Sequence, residues 1–276
     1  MTLRRLIGAI GLGLAAVWSL SAPAQEGVDP ALVRIVAGPH RSAENVARDR
    51  YRNPVETLHF LGLQPAMTVV EILPGGAMAY WTEIIAPYLR EKGKYVAAIA
   101  DGEAVSDDRK RVNTAFRNKL VNDPQLYDRV QVNLFGPDRR DIAPPHSADM
   151  VLTFRNLHNW MASGETEAIL ESIHKALKPG GILGIEEHRG DPGRPQDPEA
   201  KSGYVRQDYA IALIEKAGFK LDAASEVNAN PKDTKDHPAG VWTLPPTYRL
   251  GEQDRAKYAE IGESDRFLLR FVKAPR

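Results

Sequence analysis

Thr68-Val-Val-Glu-Ile-Leu-Pro-Gly-Gly-Ala-Met-Ala-Tyr-Trp-Thr82 decides the fold. The stretch begins as a run of apolar and β-branched residues, short enough for a buried strand. Pro74-Gly75-Gly76 then turn the chain with no Cβ at two successive positions, and a helix-like run follows from Trp81 to Leu89. Strand, glycine turn and helix together let backbone N–H groups and a helix N-terminus face a bound ligand. Glu71 stands near the strand's end, placed to accept hydrogen bonds from ligand hydroxyls or an amine. The adjacent glycines do not make the dinucleotide fingerprint G-x-G-x-x-G, since no third glycine follows at the required spacing. A glycine turn also occurs for tight packing alone, so the reading needs support from elsewhere in the chain.

That support comes from the second strand, Tyr95-Val-Ala-Ala-Ile-Ala100, which ends at Asp101. In doubly wound folds an acid at this tip meets the ribose of an adenosine-type ligand. Further along, Ser106-Asp107-Asp108 opens a helix to about Val121, and Val130–Phe135 alternates as a third strand. Asp149–Phe154 is a fourth strand, followed by the polar and aromatic loop Arg155-Asn156-Leu157-His158-Asn159-Trp160. Ligands in open α/β sheets bind outside the carboxyl ends of the strands, where this loop falls. Arg155 and Asn156 either contact a ligand or hold the loop. His158 is either a general base near neutral pH or a hydrogen-bonded loop residue, and Trp160 is a candidate apolar wall for a substrate.

Ser163 is placed to cap a helix over Glu165–Leu177, and Lys178-Pro-Gly-Gly181 is a turn. The fifth strand, Ile182–Ile185, runs into Glu186-Glu187-His188-Arg189. An acid and a histidine at a strand tip, facing the fourth-strand loop, make Glu187 and His188 catalytic candidates beside His158. Residues 190–203 read as a flexible loop over the site. A helix from Tyr204 to Ala217 and a sixth strand, Phe219–Val227, follow; 228–262 reads as a polar surface excursion, and Arg266–Val272 closes the sheet. Upstream of the first strand, Ser42 and Asn53-Pro54 mark two helix starts, the second helix ending at Gly62. Asp49, Tyr51 and Arg52 lie there, either on a solvated face or facing the site.

The chain resembles the class I methyltransferases that use S-adenosylmethionine, and more narrowly a subgroup of predicted methyltransferases that carry export signals. The residues that carry the resemblance are Glu71-Ile-Leu-Pro-Gly-Gly76, Asp101, Asp149–Trp160, Leu177–His188 and the tail Asp265-Arg-Phe-Leu-Leu-Arg-Phe-Val-Lys-Ala-Pro275. It covers roughly residues 40–276 and departs at Ala77, where the family's first motif ends in glycine. The resemblance implies a Rossmann-like α/β domain with a mixed seven-stranded sheet, the last strand antiparallel beside the sixth, helices on both faces and helices ahead of the first strand. It implies S-adenosylmethionine as cofactor, held by Glu71, Gly75, Gly76, Tyr80, Asp101 and Asn156. Arg52 and Trp160 are then candidates for the acceptor, and His158, Glu187 and His188 for deprotonating or orienting it. A small molecule is the expected acceptor, and its identity carries no pattern in the sequence.

The rest of the composition narrows the class. The chain has 276 residues, with 36 basic and 36 acidic side chains. There is no basic excess of the kind that nucleic-acid binding requires. No cysteine is present, which excludes disulfides, thiolate nucleophiles and thiolate metal ligands. Residues 1–24 read as a signal segment: Arg4-Arg5, the apolar run Leu6–Leu20 and the small-x-small pattern Ala22-Pro-Ala24, with cleavage expected before Gln25. The apolar run is too short for a comfortable membrane span, and paired arginines suit both twin-arginine and ordinary export. Residues 25–40 are expected to be a linker and 41–276 the domain, in a mature periplasmic protein with no membrane span.

Two other readings stay open at this stage. One is a periplasmic binding protein that keeps the pocket without catalysis, since the cofactor is made in the cytosol. The other is a metal-assisted enzyme using His158, His188 and Glu187, although their spacing matches no metal motif.

Overall fold

The computed structural model describes residues 27–100 and 105–274. The expected signal segment, its cleavage site and Asp101 lie outside the described residues. Seven strands form one sheet: β1 Thr68–Ile72, β2 Lys94–Ala100, β3 Gln131–Phe135, β4 Ala148–Phe154, β5 Leu177–His188, β6 Phe219–Ser225 and β7 Arg266–Lys273. Their order is β3-β2-β1-β4-β5-β7-β6. Pairing is parallel from β3 through β5, and β7 runs antiparallel between β5 and β6, as expected.

The helices are α1 Pro30–Val36, α2 Ala43–Val46, α3 Asp49–Arg52, α4 Pro54–Leu61, α5 Thr82–Leu89, α6 Asp107–Asn122, α7 Pro124–Tyr127, α8 Leu157–Ser163, α9 Thr166–Ala176, α10 Gln207–Lys216 and α11 Arg255–Ile261. Among the described residues, no helix is long and apolar enough to cross a membrane.

The sheet is buried on both faces, which is why β1, β2 and β4 read as nearly continuous apolar runs. Val70, Ile72, Val96, Val151 and Leu183 point to one face, under Leu157 and Trp160 of α8 and Ile173 of α9. Val69, Tyr95, Ala97, Met150 and Leu152 point to the other, under Leu58 and Leu61 of α4, Ile84 and Leu89 of α5 and Phe116 of α6. Val69, Val70 and Ile72 have no exposed surface, and burying each such side chain contributes about 1.5–3 kcal/mol. This burial holds the β1 turn over the middle of the sheet.

The structure corrects four local expectations. Residues 30–36 are no linker: Asp29 accepts the N–H of Ala31 at 2.8 Å to cap α1, and the Tyr88 hydroxyl of α5 donates to Asp29 at 2.7 Å. Leu32 is thereby buried against the domain. The loop after β4 is a helix from Leu157 onward, and Ser163 is the last residue of α8 rather than the cap of α9. The Lys178-Pro-Gly-Gly181 segment belongs to β5, with a register irregularity against β4 between Ala148 and Met150.

Candidate functional site

A cleft of about 300 Å³ opens at the C-terminal ends of β1, β4 and β5. Its floor is the turn after β1. Gly75 lines it with φ +97°, and a Cβ there would come no closer than 4.0 Å to any neighbouring group, at the Ala79 nitrogen. The backbone is therefore open to a ligand, while an L side chain would be strained. Gly76 does not line the cleft and packs beside Val112 of α6. Ala77, where the resemblance departs, is exposed and outside the cleft lining.

Glu71 lines the cleft and is buried. Its Oε2 accepts from the Tyr95 hydroxyl and from Thr82 Oγ1 at 3.5 Å. Oε1 has no partner among the described residues. Burial pushes this carboxyl up to about 7, against the lowering effect of the Tyr95 and Thr82 hydrogen bonds. Beside it Trp81 stacks on Phe154 at 4.3 Å, and both side chains wall the cleft. Tyr80 also lines it and donates its hydroxyl to Asp49 at 2.6 Å, an acid held in turn by Arg41.

The far wall joins β4 to β5. Asn156 lines the cleft but spends its amide on structure, donating to Ile72 O at 3.0 Å and Thr153 Oγ1 at 3.1 Å. It thus ties the tips of β1 and β4 together. His158 sits in the first turn of α8, where Glu187 Oε2 accepts its backbone N–H and Glu187 Oε1 accepts its Nδ1–H at 2.9 Å. A carboxylate can only accept, so Nδ1 carries the proton and Nε2 is the basic nitrogen. Nε2 has no hydrogen-bond partner among the described residues. His188 follows on β5, its ring 5.4 Å from that of His158, and its Nδ1 lies 2.6 Å from Ser264 Oγ. Burial, with the charges of Arg155, Arg266 and Arg52 beside it, holds His188 well below the usual histidine range, so it is neutral at neutral pH.

The three metal-capable atoms of His158, Glu187 and His188 all lie within 4.8 Å of one another. Glu187 already receives three N–H groups, the third being the His188 amide at 2.8 Å. These three contacts fix the ring and amide of His158 and the amide of His188 around a fully buried carboxylate, which is the arrangement of an oriented histidine.

Two expected acceptor residues lie elsewhere. Trp160 is packed in the core beneath α8 and does not reach the cleft. Arg52 is fully buried behind Tyr80, its guanidinium 4.5 Å from that ring and its Nε 3.1 Å from Glu263. Nor does the 190–203 loop cover the site, for it contributes no lining residue. Its end packs on the 3₁₀ turn Gly240–Thr243, where a Cβ on Gly203 would lie 2.4 Å from Val241.

The 228–262 excursion takes over that role. It brings Trp242 and Pro245 to the cleft, and Glu263 and Ser264 follow directly after it. Trp242 meets the His158 ring edge-on at 5.9 Å. A lone tryptophan in a polar stretch was the available signal for this wall. Arg109 of α6 also lines the cleft and was missed, since a charge on an exposed helix carries no such signal.

The sequence matches no protein-family model and no curated protein. Among solved structures, the chain is similar to a SAM-dependent methyltransferase from Aquifex aeolicus, at 19% identity with a TM-score of 0.52 over 89% of this chain and 99% of that one. The [4+2]-cyclase SpnF aligns at 17% identity, TM-score 0.52, over 89% and 92%. The arsenic(III) S-adenosylmethionine methyltransferase CrArsM from Chlamydomonas reinhardtii aligns at 15%, TM-score 0.51, over 89% and 74%. The fold is therefore the Rossmann-like fold of class I methyltransferases. One neighbour is named for a cyclisation, so the reaction has to be argued from the site.

Proposed function

We propose that the protein transfers a methyl group from S-adenosylmethionine to an acceptor deprotonated by His158. The observation that carries this reading is the His158–Glu187 pair, which holds a basic imidazole nitrogen over a cleft that begins at the β1 glycine turn. The cleft fits the cofactor: Gly75 leaves the backbone approachable, Glu71 keeps one carboxylate oxygen unpaired, and Trp81 with Phe154 gives an apolar wall. Its volume lies at the lower end of small-molecule sites. The Gly75 backbone, Glu71, Tyr80 and Asp101 would hold the cofactor.

When bound, S-adenosylmethionine supplies an electrophilic methyl on a sulfonium sulfur, which keeps the C–S electron pair as the bond from methyl to acceptor forms. The protein's part is alignment, exclusion of water and one proton transfer. His158 Nε2 takes the acceptor's proton. Glu187 fixes the tautomer and stabilises the imidazolium that results. His188, neutral and held on Ser264, orients the acceptor beside it.

Calorimetric titration of the chain starting at Gln25 with S-adenosylmethionine and S-adenosylhomocysteine tests the reading. Micromolar binding that is lost in Asp101→Ala is the expected result. No binding at millimolar ligand overturns it and returns the fold to a non-methyltransferase role.

Export to the periplasm belongs to the same proposal and rests on the Arg4-Arg5, Leu6–Leu20 and Ala22-Pro-Ala24 pattern. The intact mass of the protein from a periplasmic fraction is expected to begin at Gln25; an uncleaved Met1 refutes this.

A further inference from the structure

Behind the His158 wall of the cleft lies a group of charges that does not balance, with Arg52, Arg266, Glu186 and Glu263 buried and Arg48 and Arg155 half-buried. The guanidiniums of Arg48, Arg52, Arg155 and Arg266 surround the carboxylates of Glu186 and Glu263. Arg48 Nε lies 2.6 Å from Glu263 Oε1, and Arg52 Nε lies 3.1 Å from Glu263 Oε2. Arg266 Nη1 lies 3.1 Å from Glu263 and 3.5 Å from Glu186. Glu186 is further engaged by Asn228 Nδ2 at 2.6 Å. These contacts leave Arg155 outside. Its Nε lies 3.8 Å from Glu186 Oε1, and its side chain makes no hydrogen bond among the described residues. Arg52 behind it has both Nη atoms buried without a partner.

Four cations thus face two anions, and the excess falls to one when Glu71, which also feels the Arg155 charge, is ionised. Buried cations are ordinarily paired, because leaving water costs them several kcal/mol each. Arg155 is the cation of the group that lines the cleft, beside the carboxylate of Glu263, which Arg48, Arg52 and Arg266 already engage. It is also held at φ +60°, a left-handed conformation that non-glycine residues keep where the surroundings impose it. Its amide donates to Glu186 O at 2.7 Å, which fixes the residue over the tip of β5.

We propose that Arg155 binds an anionic group, a carboxylate or a phosphate, on the methyl acceptor. This deepens the methyl-transfer reading and rests on it. Position favours the acceptor over the cofactor's own carboxylate. The cofactor candidates Gly75 and Asp101 follow β1 and β2, whereas Arg155 leans to β5, three residues before His158 and on the side of His188. A guanidinium there presents two parallel N–H donors to a planar carboxylate or a phosphate, and the unpaired Arg52 adds its charge from behind.

The test is calorimetry with the full mature chain, with S-adenosylhomocysteine, 5′-methylthioadenosine, sodium benzoate, inorganic phosphate and benzamide as probes. Benzoate or phosphate is expected to bind the wild type, with neutral benzamide silent. Arg155→Gln should weaken the anion by about 10- to 100-fold, the size of one charge-assisted contact, and leave S-adenosylhomocysteine affinity unchanged. Arg155→Lys, which keeps the charge without the fork, should fall between. Near-wild-type melting of both variants shows that they fold. If neither anion binds the wild type, or if both bind Arg155→Gln equally well, the proposal is wrong. It is also wrong if Arg155→Gln weakens S-adenosylhomocysteine but not 5′-methylthioadenosine, for then the arginine grips the cofactor's carboxylate. Failure of the wild type to bind S-adenosylhomocysteine at all, with anion binding intact, would instead overturn the methyl-transfer reading and with it the acceptor assignment.

Discussion

Glu187 holds His158 twice: one carboxylate oxygen accepts the backbone N–H at 3.1 Å and the other accepts the ring Nδ1–H at 2.9 Å. The same carboxylate serves as the missing cap of α8, whose N-cap residue Asn156 makes no side-chain cap bond. The start of α8 and the orientation of the His158 ring therefore depend on one group. In the wild type, imidazole ¹⁵N shifts should show His158 protonated at Nδ1 and free at Nε2. Glu187→Gln should mix the tautomers, because one of the two N–H groups of His158 then faces an amide NH₂. His158→Ala should lower turnover by about 10²–10⁴-fold with any acceptor the wild type uses, with S-adenosylhomocysteine affinity intact. Wild-type turnover in His158→Ala would remove it as the base.

Glu71 makes stability depend on pH in a direction unusual for a carboxylate. Its folded value is raised from 4.5 to about 7, chiefly by burial. Between these values the folded chain keeps the proton and the unfolded chain does not, so stability falls as pH rises through the window and stays reduced above it. The contribution is on the order of 3 kcal/mol, from 1.36 kcal/mol per tenfold change in proton affinity. Glu71→Gln carries no such term. Melting at pH 5 and pH 8 should show the variant gaining on the wild type at the higher pH. A constant difference between the two would contradict the raised value.

The sheet was legible because both its faces are buried: β1, β2 and β4 are apolar runs with glycine, proline or acid at their ends, and β7 alternates little for the same reason. The His158, Glu187 and His188 group was also legible, because strand tips gather ligands in this topology. What failed was local. Residues 155–160 look like a loop because α8 is only two turns long and its cap comes from Glu187, 29 residues away. The 190–203 loop and the 228–262 excursion are both polar, and composition does not say which one folds back over the sheet. Arg52 offered no hint of burial, since its partner Glu263 stands 211 residues away.

Gly184 sets how closely α4 approaches the sheet. A Cβ there would fall 2.6 Å from Leu152 Cδ2 and 2.9 Å from Leu61 Cδ2, both buried with no exposed surface. Gly184→Ala should destabilise the domain by about 1–3 kcal/mol through overpacking, read as a lower urea midpoint with an unchanged slope. An unchanged midpoint would mean that α4 is free to move outward.

Two tryptophans separate packing from binding. Trp160 is buried in the core and touches no part of the cleft, whereas Trp242 is partly exposed on the cleft wall, edge-on to His158 and under the Arg249 guanidinium at 4.5 Å. Trp160→Ala should cost about 3–5 kcal/mol of stability, as expected when a large core side chain is removed. Any ligand that binds the wild type should still bind the fraction of this variant that folds. Trp242→Ala should leave the unfolding midpoint nearly unchanged and weaken acceptor or anion binding by about 2- to 10-fold, the size of one aromatic contact. Urea titration of both variants, followed by calorimetry, checks the pair. The reverse pattern, with Trp242→Ala unfolding and Trp160→Ala losing only affinity, would mean that the excursion is part of the core and that Trp160 rather than Trp242 faces the ligand.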